Sequence, residues 1–109
     1  MPTSTVENYL KAILRLERAD PGPVAVGRIA NEMEVTPGTV TTMMKHLGRN
    51  GLIDYKPRRG VALRPEGRHA AMRVVRRHRL IELFLVEVMQ IDWTDVHQEA
   101  EILEHVISD

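Results

Sequence analysis

The sequence predicts a mainly helical fold carrying one small antiparallel hairpin, and three observations predict it. Apolar residues keep helical spacing over 4–19 and again over 65–89. A Thr36-Pro37 pair opens a third such stretch, with the residue types that start helices. Between the second and third of these, "LIDYKPRRGVALRP" alternates apolar positions on both sides of a turn-rich centre.

The elements follow in order. Val6, Tyr9, Leu10, Ile13, Leu14 and Leu16 give the first helix its apolar stripe, and "DPGP" at 20–23 stops it. A short helix over 26–33 carries Ile29, Ala30 and Met33. In the third helix Thr36 is the expected N-cap, Pro37 the first helical residue and Gly51 the C-cap. Val40, Met43, Met44 and Leu47 face one way there; Thr41, Thr42, Lys45, His46 and Arg49 face the other. Ile53 and Tyr55 alternate on one hairpin arm, Val61 and Leu63 on the other, with "KPRRG" turning between them. The long helix from Pro65 to Met89 is basic first and apolar later. "IDWTD" interrupts it, and Thr94 is the expected N-cap of a final helix.

Composition narrows the possibilities. The chain has 109 residues and 43% hydrophobic content, which suits one domain's worth of core. Aromatics are few, so the core must be aliphatic with methionine as filler. Without cysteine there is neither a disulfide nor a thiolate metal site. No signal peptide and no apolar run near the length of a membrane span is apparent, so a cytoplasmic location is expected, with no membrane partner.

The formal net charge of zero hides a division. All 15 lysines and arginines lie between Lys11 and Arg79, against seven acids, so residues 1–79 carry +8 and the last 30 carry −8. A basic region of this strength wants a polyanion; an acidic one wants a cation or solvent.

Helix, short helix, turn, helix and two-stranded hairpin is the order of a winged helix-turn-helix, whose third helix enters the DNA major groove. Small threonines, two cations on the exposed helix face and a cluster of cations at the hairpin tip suit that role. The expected DNA-binding set is Arg28, Thr36, Pro37, Thr39, Thr41, Thr42, Lys45, Arg49, Lys56, Arg58 and Arg59. Residues 1–70 are thus expected to form the DNA-binding domain.

Residues 71–109 need a different explanation. On a helix, His97, Glu101, Glu104 and His105 fall on one side, and His78 and Glu82 share a face of the long helix. Such rows are either solvated faces or cation ligands. Two of them on successive helices make cation ligands as good a reading as solvated faces. Imidazole and carboxylate without thiolate suit manganese, ferrous iron, cobalt or zinc.

"VENYLKAI", "VTPGTVTTMMKHLGRNGLIDY", "RRGVALRPEGRHA", "RRHRLIELFL" and "VHQEAEILEHVISD" together resemble the metal-dependent transcriptional repressors of the diphtheria toxin repressor type, including the manganese transport regulators. The resemblance covers essentially the whole chain. It implies one metal site from Asn8, Glu101, Glu104 and His105. It implies a second from His78, Glu82 and His97, sharing Glu104 or Glu101. Position 101 is commonly cysteine in the iron-responsive branch and glutamate, as here, in the manganese-responsive one. Asn8 stands where the branches carry methionine or aspartate, and Lys11 where manganese regulators carry a ligand glutamate. Arg64 replaces the usual threonine cap before Pro65.

The resemblance therefore implies a repressor of metal-ion homeostasis genes, not an enzyme, with Mn2+ or Fe2+ as corepressor and Co2+, Ni2+ or Zn2+ as substitutes in vitro. The cation would tie the first helix to the last two, and a homodimer would bring two readers to successive major grooves of a double-stranded operator. Dimerisation would rest on Leu80, Leu83, Phe84 and Val86 with Ile102, Leu103 and Val106. Family members continue beyond the Ser108-Asp109 pair, so the second region is expected to be truncated relative to theirs. The alternative reading is a metal-independent winged-helix regulator whose acidic end only solubilises or binds a partner. A metallohydrolase lacks a nucleophile or HExxH spacing, and a single-stranded RNA binder lacks stacking aromatics apart from Tyr55.

Overall fold

The computed structural model describes residues 3–88 and 100–104. Its elements are α1 (Ser4–Ala19), α2 (Val26–Met33), α3 (Pro37–Arg49), β1 (Ile53–Lys56), β2 (Gly60–Leu63) and α4 (Pro65–Glu87). These are the three helices, two-stranded wing and long helix that the sequence predicts. The long helix ends at Glu87 rather than Met89, which lies outside the described residues, as do Thr94 and "IDWTD". Residues 100–103 are helical.

The chain divides into two compact units, Met1–Ala71 and Met72–Asp109. In the first, Leu10, Ile13, Leu14, Ile29, Val40, Met44, Leu47, Ile53 and Val61 are essentially removed from water. Aliphatic residues dominate that core, as the scarcity of aromatics requires. In the second, Ile81, Leu85 and Ala100 form a small core, with Val86 and Leu103 packed against it.

Local chemistry explains where each element starts and stops. Thr3 caps α1, its Oγ1 accepting the Val6 N–H at 3.2 Å. Thr36 caps α3 in the same way, its Oγ1 accepting the Thr39 N–H at 3.2 Å, and Pro37 follows in the first turn. At the other end of α3 the C-cap is Asn50, and Gly51 is the residue after it, at φ +75°. The Leu52 N–H reaches Leu47 O at 3.1 Å and the Gly51 N–H reaches Gly48 O at 3.1 Å, a Schellman motif. Arg64 caps α4 only with its backbone: its carbonyl accepts the Arg68 N–H at 2.8 Å. Pro65 and the first-turn Glu66 supply the remaining helix-start chemistry.

The C-cap of α2 is Glu34, at φ 57° and ψ 45°, a left-handed position that suits glycine. The side chain is exposed, so nothing in the core depends on it. Glu34→Gly should therefore raise stability by up to about 1 kcal/mol, read as a higher urea midpoint with unchanged slope. An unchanged or lower midpoint would show that the strained cap carries no penalty.

The wing pairs Ile53 with Leu63, Asp54 with Ala62, Tyr55 with Val61 and Lys56 with Gly60, antiparallel. Its turn closes through the Arg59 N–H to Lys56 O at 3.0 Å. Pro57 then sits at the second turn position and Arg58, at φ 69°, at the third, the pattern of a type II turn. Val24 adds a one-residue bridge to the outer side of β2, with N–H to O bonds of 2.8 Å in both directions with Val61. This approach needs Gly60, where a Cβ would stand 2.7 Å from Val24 O.

Candidate DNA-reading surface and metal centre

Thr36, Pro37, Thr39, Thr42, Lys45 and Arg49 are all exposed along α3 and at its start, while Thr41 is half-buried. The threonine hydroxyls are not idle. Thr36 Oγ1 and Thr39 Oγ1 share a hydrogen bond of 2.9 Å, and Thr42 Oγ1 donates to Gly38 O at 3.1 Å. Lys56, Arg58 and Arg59 are exposed at the wing tip. Arg28 differs from the others: it is half-buried in α2, and its Nη1 lies 3.6 Å from Asp20 Oδ2. A weak surface pair of this kind is readily exchanged for a phosphate.

Arg64, which stands where the family carries a threonine cap, lies beside two residues of this candidate surface. It lines a shallow cleft between α3 and β1 together with Lys45 and Arg49. The Arg64 N–H to Leu52 O bond of 3.0 Å anchors it there. The sequence holds no signal for this, because residues 45, 49 and 64 meet only once the hairpin has folded back.

Three acidic residues of the second unit, Glu82, Glu101 and Glu104, gather on His78. Its Nε2 contacts Glu82 Oε1, one turn further along α4. Its Nδ1 lies 2.7 Å from Glu104 Oε2 and 4.0 Å from Glu101 Oε1. Ligand atoms of His78, Glu101 and Glu104 all lie within 4.8 Å of one another. The packing of Ala100 and Leu103 against Ile81 and Leu85 brings these side chains together. Glu104 is fully buried, Glu101 and His78 partly so. A carboxylate removed from water is costly without a compensating partner, and His78 is one such partner.

This donor set fits a divalent transition metal. Oxygen and nitrogen ligands bind such ions at about 2.0–2.2 Å, so opposite ligands stand about 4.4 Å apart, close to the spacing here. The ligand types are hard to borderline, which suits manganese, iron or zinc. A metal at either ring nitrogen would take the place of the contact that nitrogen now makes, to Glu82 or to Glu104. His97 and His105 lie outside the described residues. Asn8 is half-buried in α1, in the first unit. His78 stands beside both Glu101 and Glu104, the two residues that the resemblance offers as shared between the sites.

Two family models match the chain end to end. Residues 1–61 match the N-terminal DNA binding domain of the iron dependent repressors, and residues 64–109 match their metal binding and dimerisation domain. The diphtheria toxin repressor of Corynebacterium glutamicum is 39% identical over 105 residues, covering 96% of this chain and 46% of its own length. The HTH-type transcriptional regulator MntR of Lysinibacillus sphaericus is 34% identical over 108 residues, covering 99% of this chain and 76% of its own. Among solved structures, a manganese-dependent transcriptional repressor in complex with manganese superposes with a TM-score of 0.84 at 38% identity, covering 95% of this chain and 47% of that one. The chain therefore spans about half the length of several relatives that it matches. With both domain types in order along one sequence, and a reading helix, a wing and a carboxylate–imidazole cluster to match them, the chain belongs to the iron dependent repressor family.

Proposed function

We propose that this chain is a metal-dependent DNA-binding transcriptional repressor of metal-ion homeostasis, acting as a homodimer with Mn2+ or Fe2+ as corepressor. The observation that carries the reading is the convergence of His78, Glu101 and Glu104 in a chain that also presents a winged reading surface. Glu82, and by family resemblance Asn8, His97 and His105, complete the proposed ligand set. Residues 1–70 are the proposed DNA-binding domain and residues 71–109 the proposed metal-binding and dimerisation region. The exposed apolar side chains Leu80, Leu83, Phe84 and Ile102 support a second copy as the partner of that region. A binding role needs no covalent step, and a cytoplasmic location accords with an operator as target.

When bound, the metal supplies positive charge among carboxylates that otherwise repel one another. The chain's own contribution is to hold Glu104 buried and His78 oriented between Glu82 and Glu104, so that the donors are in place beforehand. Affinity in vitro follows the general divalent order, so zinc is expected to bind tightly even if manganese or iron activates best. Calorimetric titration of metal-stripped protein with MnCl2 tests the metal reading directly: a stoichiometric heat is expected, and no heat would leave the metal-independent alternative.

The wing is testable separately. Arg59 is exposed beside the tip of the turn and is proposed to contact phosphate. Arg59→Ala should weaken binding to all duplexes alike and lower the slope of log affinity against log salt by about one unit. An unchanged slope would remove Arg59 from the interface.

A further inference from the structure

The DNA-reading role of α3 proposed above leaves open how a helix face made of threonines could tell one base pair from another. Serine and threonine hydroxyls usually serve as donor or acceptor to base edges. At Thr42 the donor half of that capacity is already used within the helix. The Thr42 hydroxyl donates its proton to Gly38 O at 3.1 Å. One proton of the Thr36–Thr39 pair is likewise spent inside the pair, and Thr36 Oγ1 also accepts the Thr39 N–H. Bonds from a threonine hydroxyl to the carbonyl four residues back are a standing option in helices and compete with outside partners.

We propose that Thr42 reads the major groove through its γ-methyl group rather than its hydroxyl, and that it selects thymine by contact with the thymine 5-methyl. Thr42 is exposed. Gly38 lies one turn before it on the same helix face, and a Cβ placed there would meet nothing within 4 Å. The groove edge can therefore approach the helix closely beside Thr42. Of the four bases only thymine offers a methyl group in the major groove, and threonine methyl is an apolar partner for it.

The proposal separates two parts of one side chain, so two substitutions test it. Thr42→Val keeps the γ-methyl and removes the hydroxyl; Thr42→Ser does the reverse. Both proteins and the wild type would be presented, with MnCl2, with a pool of duplexes carrying a randomised core, and the retained duplexes sequenced. Wild type and Thr42→Val should enrich thymine at the same position, and Thr42→Ser should lose that enrichment while keeping the rest of the site. Remaking the selected duplex with deoxyuridine at that position should cost wild type and Thr42→Val about fourfold in affinity, the value of one buried methyl, and cost Thr42→Ser nothing. Loss of preference in Thr42→Val with retention in Thr42→Ser would overturn the proposal, as would full affinity for deoxyuridine at every thymine of the site. If the wild type enriched no sequence from the pool, the failure would lie with the DNA-reading role itself, and the methyl reading would fall with it.

Discussion

Glu104→Gln is expected to abolish metal-stimulated DNA binding while leaving the protein folded. Glu104 is fully buried, and its Oε2 lies 2.7 Å from His78 Nδ1. Glutamine preserves the shape and can still hydrogen-bond the imidazole, so the packing of Ala100 and Leu103 on Ile81 and Leu85 should survive. What disappears is the negative charge that makes position 104 a ligand. Even partners one shell removed from a metal are worth about 10- to 100-fold in affinity, so losing a ligand charge should cost at least about 100-fold. The readouts are manganese affinity by calorimetry and duplex affinity with and without manganese. A Glu104→Gln protein activated like the wild type would take Glu104 out of the site.

The largest effect on stability is expected from Gly67→Ala. Glycine is usually the weaker residue in a helix, by about 1 kcal/mol relative to alanine. At position 67 the sign should reverse. A Cβ there would stand 1.9 Å from Leu52 O and 2.9 Å from Leu52 C. Those are backbone atoms and cannot swing aside. Leu52 is held from both directions, by its N–H to Leu47 O at 3.1 Å and by the Arg64 N–H to its own carbonyl at 3.0 Å. Relieving the clash means separating the first turn of α4 from the end of the Schellman motif, a loss of about 3 kcal/mol or more. Gly27→Ala is the control: it lies in α2 with nothing within 4 Å of the added carbon and should stabilise by up to about 1 kcal/mol. Urea midpoints should move in opposite directions for the two variants. If both moved upward, the close approach of α4 to Leu52 would be wrong.

Much of the fold was legible before any coordinates, and the reasons are local. Thr36 and Pro37 carry helix-start chemistry in their own side chains, and the alternation around "KPRRG" encodes a hairpin without reference to the rest of the chain. What could not be read was every feature that depends on distant segments meeting. "DPGP" stops α1 as its residue types require, but nothing in it tells that Val24 just beyond pairs with Val61. Gly67 sat unremarked in a helix until Leu52 was placed beside it. Helical spacing could group His78 with Glu82, and Glu101 with Glu104, because those relations stay within one helix. It could not show that His78 meets Glu104 at 2.7 Å, since that depends on how Ala100 and Leu103 pack on α4. Nor could spacing reveal that Thr42 spends its hydroxyl on Gly38, or that Arg28 leans on Asp20.

In the proposed function, metal occupancy of the second unit governs DNA reading by the first. The most direct measurement is the affinity of the metal-stripped protein for a selected duplex, at one fixed salt concentration, across a manganese titration. Weak binding is expected in chelator, with a rise of at least about tenfold that saturates with manganese, the order of an ordinary coupling free energy of about 1–3 kcal/mol. Equal affinity in chelator and in saturating manganese, with heat of metal binding still observed, would contradict it: the cluster around His78 would then hold a cation that has no say in how α3 meets DNA.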